Sequence, residues 1–303
     1  MNNFKDYILV FNQKSPFINP ITSDTLMGGF LYYLSLYDKS AFVSFYKDFY
    51  NNNPPFITSS LFPFSYIPIN FNFLSSFFSV DEKNDFGKKI KKINFVKKFF
   101  FEAEDKKNYL RLLAEKSSFD YFNLVKREMV NIKNKEENEG KVLPYTFKGY
   151  FFKNKKAYFF LRIFKLEKKE LIVSLFKEIF LYGLGKRSSI NFNYFEFEKE
   201  EEIEIGRQGD YFINLSLCQF QNNEKDFIEP LFFDIEEKNP RLGPFYGKDK
   251  PFKNSFFAIK EGSVFRSKVK SPFYGRVNTN LYPKSQDFYP LQILYCLPYY
   301  FSQ

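Results

Sequence analysis

Between residues 183 and 195 the chain reads Gly183-Leu184-Gly185-Lys186-Arg187-Ser188-Ser189-Ile190-Asn191-Phe192-Asn193-Tyr194-Phe195, residue types that suit phosphate and sugar binding. Two glycines permit left-handed or tight backbone, two cations meet phosphate charge, and two hydroxyls with exposed amides hydrogen-bond phosphate and sugar oxygens. The segment is not a Walker loop, because no strand leads into GxxxxGK followed by Ser or Thr. It is not a dinucleotide fingerprint either, because it follows a helical pattern. A helix C-terminus carries negative dipole, so anion attraction must come from Lys186, Arg187 and the loop amides. Taken only as local structure, the same residues are a helix cap followed by a basic turn.

The 303 residues include no His, which removes Ser-His-Asp and Cys-His nucleophile systems, His general bases and His-ligated metal sites. Carboxylates, Lys, Tyr or a bound cofactor remain as means of catalysis, and no residue pattern calls for a cofactor or a metal. Cys218 and Cys296 are far apart and form no CxxC, so they are expected as buried thiols of a reducing cytoplasm. Lys+Arg number 45 against 35 Asp+Glu, a net charge of +10. Six of those cations, Lys88, Lys89, Lys91, Lys92, Lys97 and Lys98, fall within eleven residues with no acid between them. Ile90, Ile93, Phe95 and Val96 interleave with them, which implies a stripe packed on one side that either neutralises phosphates or is simply solvated. The 45 Phe and 22 Tyr exceed what one core needs. An AT-rich genome accounts for most of them, and a minority, exposed beside Lys or Arg, are expected to stack on bases.

The elements that must position these groups follow from periodicity. Residues 7–11 form a first strand. A helix capped by Thr22-Ser23-Asp24 follows, with Leu26, Phe30, Tyr33, Leu34 and Tyr37 on one face. Gly28-Gly29 inside it costs about 1 kcal/mol per glycine relative to Ala, offset by a close neighbouring backbone. Residues 56–80 lack charge over 25 positions, but their Pro, Asn, Ser and Thr content indicates a buried, loop-rich segment rather than a membrane span. The N-terminus has no basic-then-apolar signal sequence. Residues 131–141 are a polar hairpin tip, and residues 145–153 and 157–164 are expected to pair as a β-hairpin. Leu171, Ile172, Leu175, Phe176, Ile179 and Phe180 mark an amphipathic helix stopped by Gly183, and residues 193–198 a strand. The order predicts an α+β, ferredoxin-like first domain over 1–205 with long insertions. A β-rich domain over 206–303 then has strands near 211–218, 256–260, 264–268 and 293–297.

The loop resembles the glycine-rich loop of the RAMP superfamily of CRISPR RNA-binding proteins, and Gly-Leu-Gly-Lys-Arg-Ser-Ser closed by Tyr-Phe-Glu is similar to the fourth Csm subunits of type III-A effectors. Ser23-Asp24-Thr25-Leu26, Ser59-Ser60-Leu61-Phe62-Pro63-Phe64, the lysine stretch from Lys88, and Glu261-Gly262-Ser263-Val264-Phe265 follow in that group's order and at similar spacing. The resemblance thus spans nearly the whole chain. Asn191 and Asn193 stand where the group usually has a second glycine pair, and Asn is the non-glycine residue best suited to left-handed backbone. Residues 295–298 lack the usual glycine near the last strand. The resemblance implies two ferredoxin-like domains, with a thumb-like insertion near 122–144 and the glycine-rich loop at 183–195. It implies a cytoplasmic, non-catalytic subunit that holds the repeat-derived 5′ handle of the guide crRNA. Its partners would be a large signature subunit and a backbone RAMP subunit, with no membrane. Gly183, Gly185, Lys186, Arg187, Ser188, Ser189 and Asn191 would form the grip, with Lys126 and Arg127 at the thumb's root and Ser23, Arg266 and Arg276 as further RNA contacts.

Two other functions compete. A guide-RNA-processing endonuclease of the same superfamily would usually recruit His, leaving Tyr and Lys to substitute. Asp24 is the acid nearest a shared motif, and stabilising a helix's first turn explains it. A membrane-surface protein would require one strongly amphipathic basic helix, whereas residues 88–98 have interrupted periodicity.

Overall fold

The computed structural model describes residues 4–115, 121–131, 143–185, 192–240, 253–279 and 291–302. The chain opens with β1 (Lys5–Gln13), α1 (Ser23–Tyr37) and α2 (Lys39–Tyr50). Short strands β2 (Phe56–Thr58), β3 (Phe62–Pro63) and β4 (Tyr66–Pro68) follow, then α3 (Phe71–Ser75), α4 (Val80–Ile90), β5 (Phe95–Lys97) and α5 (Lys106–Glu115). β6 (Phe122–Asn131) and β7 (Leu143–Phe152) lead to β8 (Lys156–Ile163), α6 (Lys169–Tyr182) and β9 (Phe195–Ile203). The second half contains β10 (Tyr211–Asn214), β11 (Ile228–Phe232), β12 (Ile235–Lys238) and β13 (Phe256–Ile259). It ends with β14 (Val264–Ser267), β15 (Tyr274–Asn278), β16 (Gln292–Cys296) and β17 (Pro298–Phe301). No helix among the described residues is long and apolar enough to cross a membrane.

Two antiparallel sheets follow one plan. In β9-β1-β8-β2, with β3 also paired to β8, the strands take the 4-1-3-2 order of a βαββαβ unit whose helices are α1 and α6. The sheet β17-β10-β14-β11 repeats that order. Among its described residues the second unit has no α-helix, and only a 3-10 turn, Asn222–Asp226, stands in its first crossover. Elements of the first half cover its sheet instead. Phe73 of α3 lies 5.8 Å from the rings of both Phe232 and Phe301, and Phe101 lies 5.2 Å from Phe301. Each sheet therefore stays within one half, while the largest apolar core runs through both.

β8 explains itself by this sandwiching. Its run Ala157-Tyr158-Phe159-Phe160-Leu161-Arg162-Ile163 is buried throughout, as expected for a strand covered on both faces. Phe159 meets Phe176 of α6 at 5.0 Å on one side, and the Tyr158 hydroxyl donates to the Tyr66 carbonyl (2.7 Å) on the other. Arg162 is 2% exposed and forms a bidentate pair with the equally buried Asp6 of β1, at 2.6 and 2.9 Å. Its remaining nitrogen donates to Pro272 O of the second half, at 2.5 Å.

The seam between the halves is stitched by backbone groups and short polar side chains. The Ser216 hydroxyl donates to Thr58 O (2.8 Å), Ser60 N–H to Leu215 O (3.0 Å), and Asn70 N–H to Gly262 O (3.0 Å). The Ser23 hydroxyl accepts from Leu217 N–H at 2.9 Å. Ser23, Ser59-Ser60 and Gly262-Ser263, motif residues in the sequence, thus meet where the two units join.

Several expectations change. Residues 145–153 and 157–164 do not pair with each other: β7 pairs with β6 along its whole length, and β8 pairs with β1, β2 and β3. A tight turn joins them, with Lys155 at φ 51°, but the chain leaves one sheet for another there, and alternating aromatics look the same whichever partner they find. The second strand of the unit comes from the uncharged 56–63 segment, and residues 64–155 are the insertion. On α1, Ser23, Leu26, Met27, Phe30 and Leu34 are buried, whereas Tyr37 is exposed. Strands β11 and β17 contain Pro230 and Pro298, which argue against strands in sequence; both lie at the sheet's edges, where Pro is tolerated.

Candidate nucleic-acid interface

α6 delivers the glycine-rich loop. Ile172, Leu175, Phe176, Ile179 and Phe180 are buried as the periodicity requires, with Phe180 4.2 Å from Phe11 of β1, whereas Leu171, expected on the same face, is exposed and Val173 is buried instead. The helix stops at Gly183, whose φ of 85° and ψ of 137° suit glycine alone. Gly185 follows at φ 87°, and after residues 186–191 Asn193 holds φ 64°, the left-handed backbone expected of it. Lys186, Arg187, Ser188, Ser189 and Asn191 lie outside the described residues. The loop's entry is anchored by Leu184, 5% exposed, whose Cδ1 occupies the space a side chain at Gly29 of α1 would need. The neighbour that requires Gly29 is thus this side chain rather than a backbone, and a Cβ at Gly28 would meet no described atom within 4 Å outside its own helix backbone.

The loop's exit joins the β6–β7 ribbon through residues 14–17. Lys14 N–H donates to Tyr194 O (2.9 Å), Asn193 N–H to Pro16 O (3.0 Å), and Phe17 exchanges both backbone bonds with Tyr150 of β7. Gly149 makes this approach feasible: a Cβ there would lie 2.7 Å from Pro16 Cβ and 3.1 Å from the Phe192 ring. Gln13 adds a clamp, donating to Tyr150 O (2.9 Å) and accepting from Phe152 N–H (2.8 Å). Aromatic rings fix the ribbon's root, with Phe17 4.9 Å from Phe152 and 5.7 Å from Phe122. Phe122 in turn lies 6.0 Å from Phe95 of β5, and the Tyr121 hydroxyl donates to Phe95 O at 2.7 Å. Burial pushes the Tyr121 phenol well up, so it remains a neutral donor.

Expected contacts divide into three groups. A Cβ at Gly185 would lie 3.8 Å from Asn193 Nδ2, and Asn193 N–H donates to Pro16 O beside the ribbon root. The ribbon occupies the place of the thumb expected over 122–144, its second strand running on to Phe152 and its tip at 132–142 outside the described residues. Lys126 is exposed on β6 directly opposite Lys148 of β7, also exposed; Arg127 opposes Phe147. Like charges facing across two strands are unfavourable in isolation, and an anion between them relieves the repulsion. Lys148 was missed from sequence, where it is one cation in an aromatic run and only the β6–β7 register reveals its partner. Ser23 departs from expectation: it is 3% exposed and its hydroxyl serves the seam. Arg266 is exposed on β14, 5.8 Å from the Tyr211 ring, while Arg276 on β15 is held by Gln219 Oε1 at 2.9 and 3.0 Å. These two belong to sheets of the second half rather than to the loop and ribbon.

No protein-family model and no curated protein matches the chain. Among solved structures, a chain of the Csm1-Csm4 cassette in complex with cA4 is similar at TM-score 0.58 and 17% identity, with 98% of each chain covered. The Csm1-Csm4 cassette in complex with pppApA gives 0.59 at 16% identity and the same coverage. The Csm3-Csm4 subcomplex in the type III-A CRISPR-Cas interference complex gives 0.55 at 16% identity, covering 94% of this chain and 98% of its own. Csm4 is the component these assemblies share. The chain has the Csm4 fold. The likeness runs almost from end to end, so the paired 4-1-3-2 ferredoxin-like units and the ribbon lie within the shared fold.

Proposed function

We propose that this chain is the RAMP subunit that holds the 5′ handle of the guide RNA in a type III-A interference complex, bridging a Csm1-type large subunit and Csm3-type backbone subunits. The observation that carries the reading is the junction itself. Residues 14–17 tie the exit of the glycine-rich loop to the root of the ribbon, and Lys126 faces Lys148 beside it. Left-handed glycines expose loop amides to phosphate and sugar oxygens, Lys186 and Arg187 supply charge, and the ribbon root sets the depth to which the RNA backbone enters. The subunit's role is positioning, without a catalytic group of its own. RNA should co-purify with it. Lys186→Ala with Arg187→Ala should lower assembly on guide RNA and leave the chemistry of target cleavage unchanged. Lost cleavage at unchanged RNA occupancy would instead assign the loop to catalysis.

A further inference from the structure

Lys88, Lys89, Lys91, Lys92, Lys97 and Lys98 are all exposed, on a backbone anchored by Ile90, Ile93 and Val96, none more than 1% exposed. Among the described residues none of the six forms an ion pair. Other lysines of the chain do find acids. Lys5, Lys14, Lys156 and Lys169 each meet a glutamate of β9, and Lys165 and Lys168 share Asp48. At the start of α4, Glu82 closes a capping box with Ser79 and is claimed by Lys107 and Arg111 of α5. The helix dipole accounts for cations at the C-terminal end of α4, but not for Lys97 and Lys98 beyond it. Phe99 adds a second observation: it is 49% exposed, with Lys97 Nζ 5.8 Å from its ring centroid and the Tyr109 ring edge-on at 5.2 Å. An exposed, propped ring beside a line of free cations is the arrangement that takes single strands, phosphates on the lysines and a base on the ring. Phe95 of the same segment lies against Tyr121 and Phe122, so the stripe borders the ribbon root.

We infer that residues 88–99 form a sequence-independent binding surface for single-stranded RNA, separate from the glycine-rich loop, with Phe99 as its stacking platform. It rests on the reading of the chain as an RNA-holding subunit. The test measures binding of the full chain to handle-bearing guide RNA, scrambled RNA, poly(U) and duplex RNA across a KCl series. K88A/K89A/K91A/K92A should lower the slope of log affinity against log salt by up to ~3 for single strands, at roughly 0.7 per phosphate contact. The Lys→Arg version should keep the slope, and Phe99→Ala should weaken poly(U) about tenfold while sparing duplex RNA. Neither set should change any preference for handle over scrambled RNA. If that preference is missing from the unaltered protein while the slopes still fall, the handle reading fails and the stripe stands. Unchanged salt slopes overturn the stripe, as does a four-alanine variant that binds RNA normally but loses a partner subunit in nuclease-treated preparations, which would assign it to an acidic protein surface.

Discussion

Replacing Asp6 by Leu should destabilise the protein far more than a strand substitution of similar size elsewhere. Arg162 is 2% exposed and donates two N–H bonds to the Asp6 carboxylate, at 2.6 and 2.9 Å. Without the carboxylate it keeps one carbonyl, Pro272 O at 2.5 Å, and the Phe4 ring 4.4 Å away, neither of which balances a buried cation. Removing one partner of such a pair costs about 3–5 kcal/mol, a large share of the roughly 5–15 kcal/mol that holds a domain folded. The double variant D6L/R162M removes both charges and leaves Pro272 O and Ile205 N–H short of partners, so it should recover part of the loss, with a coupling of about 2 kcal/mol or more. Because the pair joins β1 and β8 to residue 272, the deficit should appear in both halves at once. Urea unfolding followed by tyrosine fluorescence and by far-UV circular dichroism gives the four corners of the cycle. A loss under about 1 kcal/mol for D6L, or a double variant as unstable as the two single losses added, would refute a buried, mutually dependent pair.

Two further outcomes follow from local geometry. Gly149→Val should drive Cβ into Pro16 and Phe192, cost about 1–3 kcal/mol in melting experiments, and weaken guide-RNA binding by shifting the ribbon root; unchanged RNA binding in a folded variant would detach the ribbon from the site. Burial pushes the Lys253 ammonium from 10.5 down to about 8, so between those values the unfolded chain binds a proton that the native chain lacks, and stability should rise with pH from about 8 to 10 by up to ~3 kcal/mol. Above pH 10 the trend reverses, since buried Tyr158 and Tyr300 resist ionisation and the unfolded chain does not. Lys253→Met should flatten the rise in urea midpoints; parallel curves for the two proteins would contradict it.

Local chemistry was legible in the sequence where backbone alone decides it. Gly183 and Gly185 take positive φ, Asn193 does the same, and the apolar face of α6 is the one its periodicity marks except at Leu171, which is exposed. The Ser79-to-Glu82 capping box that starts α4 carries the Ser-x-x-Glu pattern in its sequence as well. What escaped was pairing at long range. Nothing local tells β7 to choose β6 over β8, brings Lys148 opposite Lys126, or joins Asp6 to Arg162 across 156 positions. Ser23 misled for the same reason, since a hydroxyl in a motif reads alike whether it faces RNA or a second domain, and only the partner, Leu217, decides.

The central claim concerns recognition of the handle, and competition binding on the assembled complex tests it most directly. Guide RNA carrying its repeat-derived 5′ end competes against RNA of equal length with that end scrambled. The account predicts that the handle-bearing RNA wins, and that Lys186→Ala with Arg187→Ala erases the advantage. Equal binding of the two RNAs to the unaltered complex would contradict it.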